Sequence, residues 1–82
     1  MRTRKLEQGN KNLIGEKIVA LRKQSNLKQK DLLVQLQIRG VDISYSVLSK
    51  IEGQTRCVND YELLAFADIF GISADELLGR SH

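Results

Sequence analysis

The side chains whose types and spacing point most directly to a chemistry lie between Ser44 and Gly53, in the stretch SYSVLSKIEG. At 100° per residue, Val47, Leu48 and Ile51 share one apolar stripe. Tyr45, Ser46, Ser49, Lys50 and Gly53 gather on the opposite side. That outer face carries hydroxyls, one phenol and one ammonium, groups that donate and accept hydrogen bonds rather than break covalent bonds. A helix anchored by its stripe and lined with such groups suits the DNA major groove, which is wide enough to admit it. An ordinary amphipathic surface helix carries the same stripe. The elements around the segment must therefore decide between the two.

Bond-breaking chemistry lacks its parts. The only histidine is His82, and the only thiol is Cys57, with no base beside it in the sequence. No cluster has metal-ligand spacing, and no glycine loop is built to cradle phosphate. The expectation is a chain that is not an enzyme and uses no metal, cofactor or small-molecule ligand. One cysteine excludes an intrachain disulfide and fits a reducing cytoplasm, the expected location. No apolar run approaches the roughly 18 residues of a membrane span. The N-terminus also lacks the apolar centre of a secretion signal.

Eighty-two residues make one small domain, able to bury about 60–65% of its unfolded surface. Charge is distributed unevenly along it. Residues 1–12 carry Arg2, Arg4, Lys5 and Lys11 against Glu7, and residues 13–56 carry eight Lys or Arg against four carboxylates. From Cys57 onward, five carboxylates face Arg80 alone. A basic first two-thirds suggests a polyanionic partner, with the acidic end turned away from it.

Four further elements must position the central helix. Residues 1–12 have no period and read as a flexible basic arm, ahead of a domain over residues 13–80. Leu13 to Ser25 reads as the first helix, with Ile14, Ile18 and Leu21 on one face. Asn12 is placed to cap its start, and Asn26 to take the left-handed position at its end. A second helix, from about Gln29 to Arg39, buries Leu32, Leu33 and Leu36. Gly40 ends it, and Val41 supplies the trailing apolar contact. Ser44 then caps the central helix, so two helices meet across a short glycine-containing turn, a helix-turn-helix arrangement. Asn59 and Glu62 have capping-box spacing for a fourth helix, with Leu63, Leu64, Phe66, Ala67 and Phe70 as its inner face and Gly71 as its end. Ser73 and Glu76 repeat the pattern for a short fifth helix. No alternating run bounded by turns predicts a strand pair. The fold class is all-α, with five helices.

Taken in order, IGEKIVALRKQSNL, Gln29-x-x-Leu32, SYSVLSKIEG and YELLAFADIFGISADELL resemble the Cro/phage-repressor type of helix-turn-helix domain, also called XRE-like. The resemblance spans Ile14 to Leu78 and implies a five-helix, lambda-repressor-like DNA-binding domain. Two departures stand out. Lys28 occupies the position where the family places a capping Ser or Thr, and about five extra residues separate Leu36 from Ser44. The first helix of the pair, or the turn after it, is therefore extended.

The resemblance implies base contacts from Tyr45, Ser46 and Lys50, with Ser49 second. Lys50 can donate to guanine O6 or N7, whereas a serine hydroxyl discriminates little. Tyr45 has three readings: its ring on a thymine methyl, its hydroxyl on a phosphate, or its ring lying across the turn. Gln29 matches the family's phosphate-binding glutamine. Ser44, Gln54, Thr55 and Arg56 flank the central helix where backbone phosphates would pass, and Lys28 adds charge beside them. Arg56 also reads as a plain solvated cation. Arg22 and Glu52 match a salt-bridged pair that ties the first helix to the third. The implied function is that of a prokaryotic or phage transcription regulator, a repressor in the first instance. The implied partner is double-stranded DNA; should the chain dimerise, as the resemblance implies, the expected surface is the fourth and fifth helices, where Tyr61, Ala65 and Ile69 make a second stripe. The alternative is a protein-interaction module on the same fold, an antitoxin or regulatory adaptor, using its acidic side.

Overall fold

Helix ends are written into this chain by residues that tolerate a left-handed backbone, and they set where each element stops. The computed structural model describes residues 11–79. Within them lie α1 (Gly15–Gln24), α2 (Gln29–Ile38), α3 (Tyr45–Glu52), α4 (Asp60–Phe70) and α5 (Ala74–Leu77), with no strand among the described residues. No described helix is long and apolar enough to cross a membrane.

After α1, Asn26 turns left-handed at φ 58°, and the Leu27 N–H returns to the Arg22 carbonyl. After α2, Gly40 does the same at φ 85°, with the Val41 N–H on the Leu36 carbonyl. Both are the hydrogen-bonding pattern of a Schellman ending, and Val41 is buried as the trailing residue. The α3 ending differs from those of α1 and α2. Gly53 keeps a negative φ, and Gln54 takes the left-handed position at φ 64°. Starts follow the capping chemistry read from the sequence. Ser44 Oγ accepts from Val47 N, while Asn59 with Glu62 and Ser73 with Glu76 form reciprocal boxes. Lys28 has no acceptor to offer, so α2 receives only half of a box, the Lys28 N–H on Asp31 Oδ2 at 2.9 Å.

One core gathers all five helices. Ile14 and Ile18, Leu32 and Leu36, Leu48 and Ile51, Phe66, and Leu77 are each sealed from solvent. Removing any of these side chains to Ala should cost about 2–5 kcal/mol. The extra residues between Leu36 and Ser44 divide between the last two residues of α2 and a six-residue connection, Arg39–Ser44.

Several expectations are corrected. α1 begins at Gly15, and Leu13 stands outside it, partly exposed. Residues 1–10 of the expected arm lie outside the described residues. Lys11 and Asn12 belong to the domain instead, for Asn12 is buried and Lys11 N donates to the Gln54 carbonyl. On α4, Leu63, Phe66, Ala67 and Phe70 turn to the core as expected, whereas Leu64 faces outward and Ala65 inward, the reverse of their assignment from spacing, and Ile69 packs against the core. Of the stripe of Tyr61, Ala65 and Ile69, Tyr61 is therefore exposed, Ile69 partly so and Ala65 buried. With α4 touching both α2 and α5, two apolar faces compete, and periodicity alone does not rank them.

Candidate nucleic-acid interface

The outward face of α3 follows from its inward one. Leu48 and Ile51 are sealed in the core and Val47 is half-buried, which turns Tyr45, Ser46, Ser49 and Lys50 to solvent. Tyr45 is 60% exposed. Ser44 is engaged as the cap of the helix. The Ser44 carbonyl takes the Leu48 N–H. Among the described residues this leaves the Tyr45 and Ser46 N–H groups at the helix start without a protein acceptor, an arrangement that favours an anion.

A second element meets this face. Gln29 Nε2, in the first turn of α2, donates to Glu52 Oε1 at 2.8 Å and reaches Ser49 Oγ at 3.5 Å. Glu52 also receives Arg22 Nε on Oε2 at 2.8 Å and Arg22 Nη2 on Oε1 at 3.2 Å. The pair is mostly buried, and Arg22 Nη1 spans further to the Leu27 carbonyl. Arg22, Gln29 and Glu52 thus form one fork-shaped network that locks α1, the start of α2 and the end of α3 together. The expected Arg22–Glu52 pair is present. Gln29, expected at a phosphate, is held by the same carboxylate.

The loop after α3 is fastened in the same way. Gln54 Nε2 donates to the Asn12 carbonyl at 3.1 Å, and Thr55 Oγ1 to the Lys50 carbonyl at 3.3 Å. Asn12 is the centre of this clasp. Its Nδ2 donates to the carbonyls of Ile51 and Arg56, while its Oδ1 accepts from the N–H groups of Ile14 and Gly15. Gly15 permits the approach, because a Cβ there would stand 2.5 Å from the Ile51 carbonyl oxygen. The sequence suggested Asn12 as a cap. It gave no sign that the same amide would close onto α3.

Arg56 is not a solvated cation. Its Nη1 donates to Glu62 Oε1 at 2.9 Å and to the Cys57 carbonyl, and Glu62 is buried. That hydrogen bond raises the Arg56 pKa above its ordinary value, partial burial opposing it and the Glu62 charge adding to it. Arg39 pairs likewise with Asp68. Among the described residues, ion pairs engage Arg22, Arg39 and Arg56, and no lysine. All six described lysines, Lys28 and Lys50 included, are exposed. The arginines hold the fold together, and the lysines supply positive charge to whatever approaches.

The exposed groups therefore comprise Tyr45, Ser46, Ser49 and Lys50 on one rigid helix, with Lys28 at the start of its neighbour. Ser44, Gln29, Gln54, Thr55 and Arg56 border them but are committed to bonds within the fold. No three His, Cys, Asp or Glu residues group as a metal site among the described residues. Comparison with protein-family models, curated proteins and solved structures finds no match. The functional conclusion therefore rests on the site itself.

Proposed function

We propose that this chain is a sequence-specific double-stranded DNA-binding domain of a transcription regulator, acting as a repressor, with α3 seated in the major groove. One observation carries the reading. The side of α3 away from the core holds Tyr45, Ser46, Ser49 and Lys50, every one exposed, on a helix whose buried side is clamped by Leu48, Ile51 and Glu52. Rigid presentation matters because base readout needs side chains held in register with base edges.

In this reading Lys50 donates to a guanine edge, and Ser46 and Ser49 add tolerant hydrogen bonds. Tyr45, at the start of the helix, meets a thymine methyl or a backbone phosphate. Lys28 and the free N–H groups at the start of α3 hold phosphates and fix the docking register. The lambda-repressor-like arrangement of α2 and α3 belongs to the same proposal, its six-residue connection setting the angle at which α3 enters.

Selection of bound duplexes from a random pool, at stated salt, tests the reading. A preferred sequence should emerge. The logarithm of its affinity should fall linearly with the logarithm of salt concentration, by about 0.9 per phosphate neutralised. Recovery of no preferred sequence, or an affinity indifferent to salt, would refute it.

A further inference from the structure

The hydrogen bonds around Glu52 each have a fixed direction, and that direction carries through to the exposed face of α3. Arg22 offers only donors, and its Nε and Nη2 both end on the Glu52 carboxylate. A carboxylate held in this way accepts and does not donate, which settles how the neighbouring amide must lie. Gln29 turns its nitrogen to Glu52 Oε1, at 2.8 Å, because its own oxygen there would oppose another acceptor. The same nitrogen lies 3.5 Å from Ser49 Oγ, with its second N–H left to offer.

We infer that Gln29 is a positioning residue that sets base specificity through Ser49, by making the Ser49 hydroxyl a donor toward the major groove. The inference rests on the DNA reading of α3 and goes beyond it by fixing what Ser49 can recognise. At 3.5 Å the contact is too long to hold Ser49 strongly. Its direction is what matters. An O–H aimed at Gln29 would set two donors against each other, so the hydroxyl hydrogen turns away from α2 and the oxygen keeps its accepting side toward it. Among the described residues Ser49 Oγ donates to no acceptor, and the residue is exposed, so that hydrogen is left for a partner. Ser46, exposed and outside this network, keeps both senses.

A hydroxyl restricted to donating separates base pairs that a free serine does not. In the major groove guanine presents two acceptors, N7 and O6, whereas cytosine presents only its N4 donor. Ser49 therefore meets a guanine edge and opposes a cytosine one. Reversing the pair moves guanine across the groove and brings cytosine to Ser49. The position it reads should accordingly favour G·C over C·G, a distinction that a serine free to donate or accept would not make.

Competition binding tests this with duplexes of the selected site that carry either G·C or C·G at each position in turn. Ser49→Ala identifies the position, as the one where the affinity ratio between the two orientations shrinks. Gln29→Met, which keeps the length of the side chain and loses its donors, should shrink the ratio at that same position by roughly two- to tenfold. Gln29→Lys, which keeps donors and brings no acceptor, should preserve it. With Ser49→Ala already present, Gln29→Met should change the ratio no further. Each ratio is taken on one protein, so a general loss of affinity or stability cancels from it, and circular dichroism checks that each variant folds. The inference is overturned, with the DNA reading intact, if Ser49→Ala alters no position or if Gln29→Met leaves the ratio untouched. A shift by Gln29→Met in the Ser49→Ala background overturns it too, since Gln29 would then act by another route. If Gln29→Met does not fold, the parent decides, because a ratio near one at the Ser49 position is equally fatal. A parent that prefers no sequence removes the DNA reading and this inference with it.

Discussion

The Asn12 amide donates to the Ile51 carbonyl at 3.1 Å, joining the residue two before the N-cap of α1 to the last turn of α3. The same side chain satisfies two N–H groups of the α1 start and the Arg56 carbonyl. Asn12→Ala would leave buried polar groups on both helices without partners. Stability should fall by about 2–3 kcal/mol, more than the ~1 kcal/mol of a lost helix cap alone. Urea denaturation measures it. A loss well under 1 kcal/mol would mean that the clasp contributes little.

Gly15 makes that contact possible, and it is the most restrictive glycine in the described chain. A Cβ would meet the Ile51 carbonyl oxygen at 2.5 Å, Gln54 Cγ at 2.7 Å and the Glu52 carbonyl oxygen at 2.9 Å. Two of these are backbone atoms at the end of a packed helix and cannot swing aside. In an open helix Gly→Ala gains roughly 1 kcal/mol. Here the gain is outweighed, and Gly15→Ala should destabilise by about 1–3 kcal/mol. A melting temperature that rises on this substitution would contradict the close approach of α1 to α3.

Arg22, Gln29 and Glu52 predict a non-additive mutant cycle. Arg22→Ala and Glu52→Ala should each cost about 3–5 kcal/mol, because either one strands a mostly buried charge. The double variant should cost clearly less than the two together. Chemical denaturation of the four proteins gives the coupling directly. Simple additivity would mean that the two residues act separately.

The sequence made the helix boundaries legible wherever a cap or a left-handed residue announced them. Asn26, Gly40, Ser44, Asn59, Gly71 and Ser73 all sit where their chemistry requires. The inward stripe of α3 was equally plain, for one amphipathic helix on one core has a single answer. Two kinds of information were hidden. Long-range polar pairing, such as Arg56 with Glu62 or Asn12 with Ile51, leaves no periodic trace. The rotation of α4 was the other. Leu63 and Leu64 are both apolar, and only the packing of α4 against its neighbours decides which turns outward.

Lys50 is exposed on the outer side of α3 and forms no ion pair among the described residues. Lys50→Ala should therefore leave stability within about 0.5 kcal/mol of the parent. On DNA it should relax preference at one base position, costing about 1–3 kcal/mol against the preferred sequence and less against others. Competition binding with single-position variants of the selected duplex reads this out. Equal weakening on every sequence would move Lys50 from base contact to phosphate contact.

Lys28 sets stability against function at one residue. It occupies the N-cap of α2 with the extended backbone of a capping residue, φ −84° and ψ 165°, yet its ammonium cannot accept the N–H groups it faces. Ser44 has the same backbone angles and makes the bond that Lys28 cannot. Lys28→Ser should supply the missing cap and raise stability by about 0.5–2 kcal/mol. The same change removes an exposed cation beside the proposed groove-binding helix. Affinity for all duplexes should drop together, and the salt slope should lessen by about 0.9, one phosphate contact fewer. Thermal melts and salt-titrated binding on the same protein separate the two effects. A Lys28→Ser variant that is more stable and binds DNA undiminished would remove Lys28 from the interface, whereas one that gains no stability would refute the capping argument.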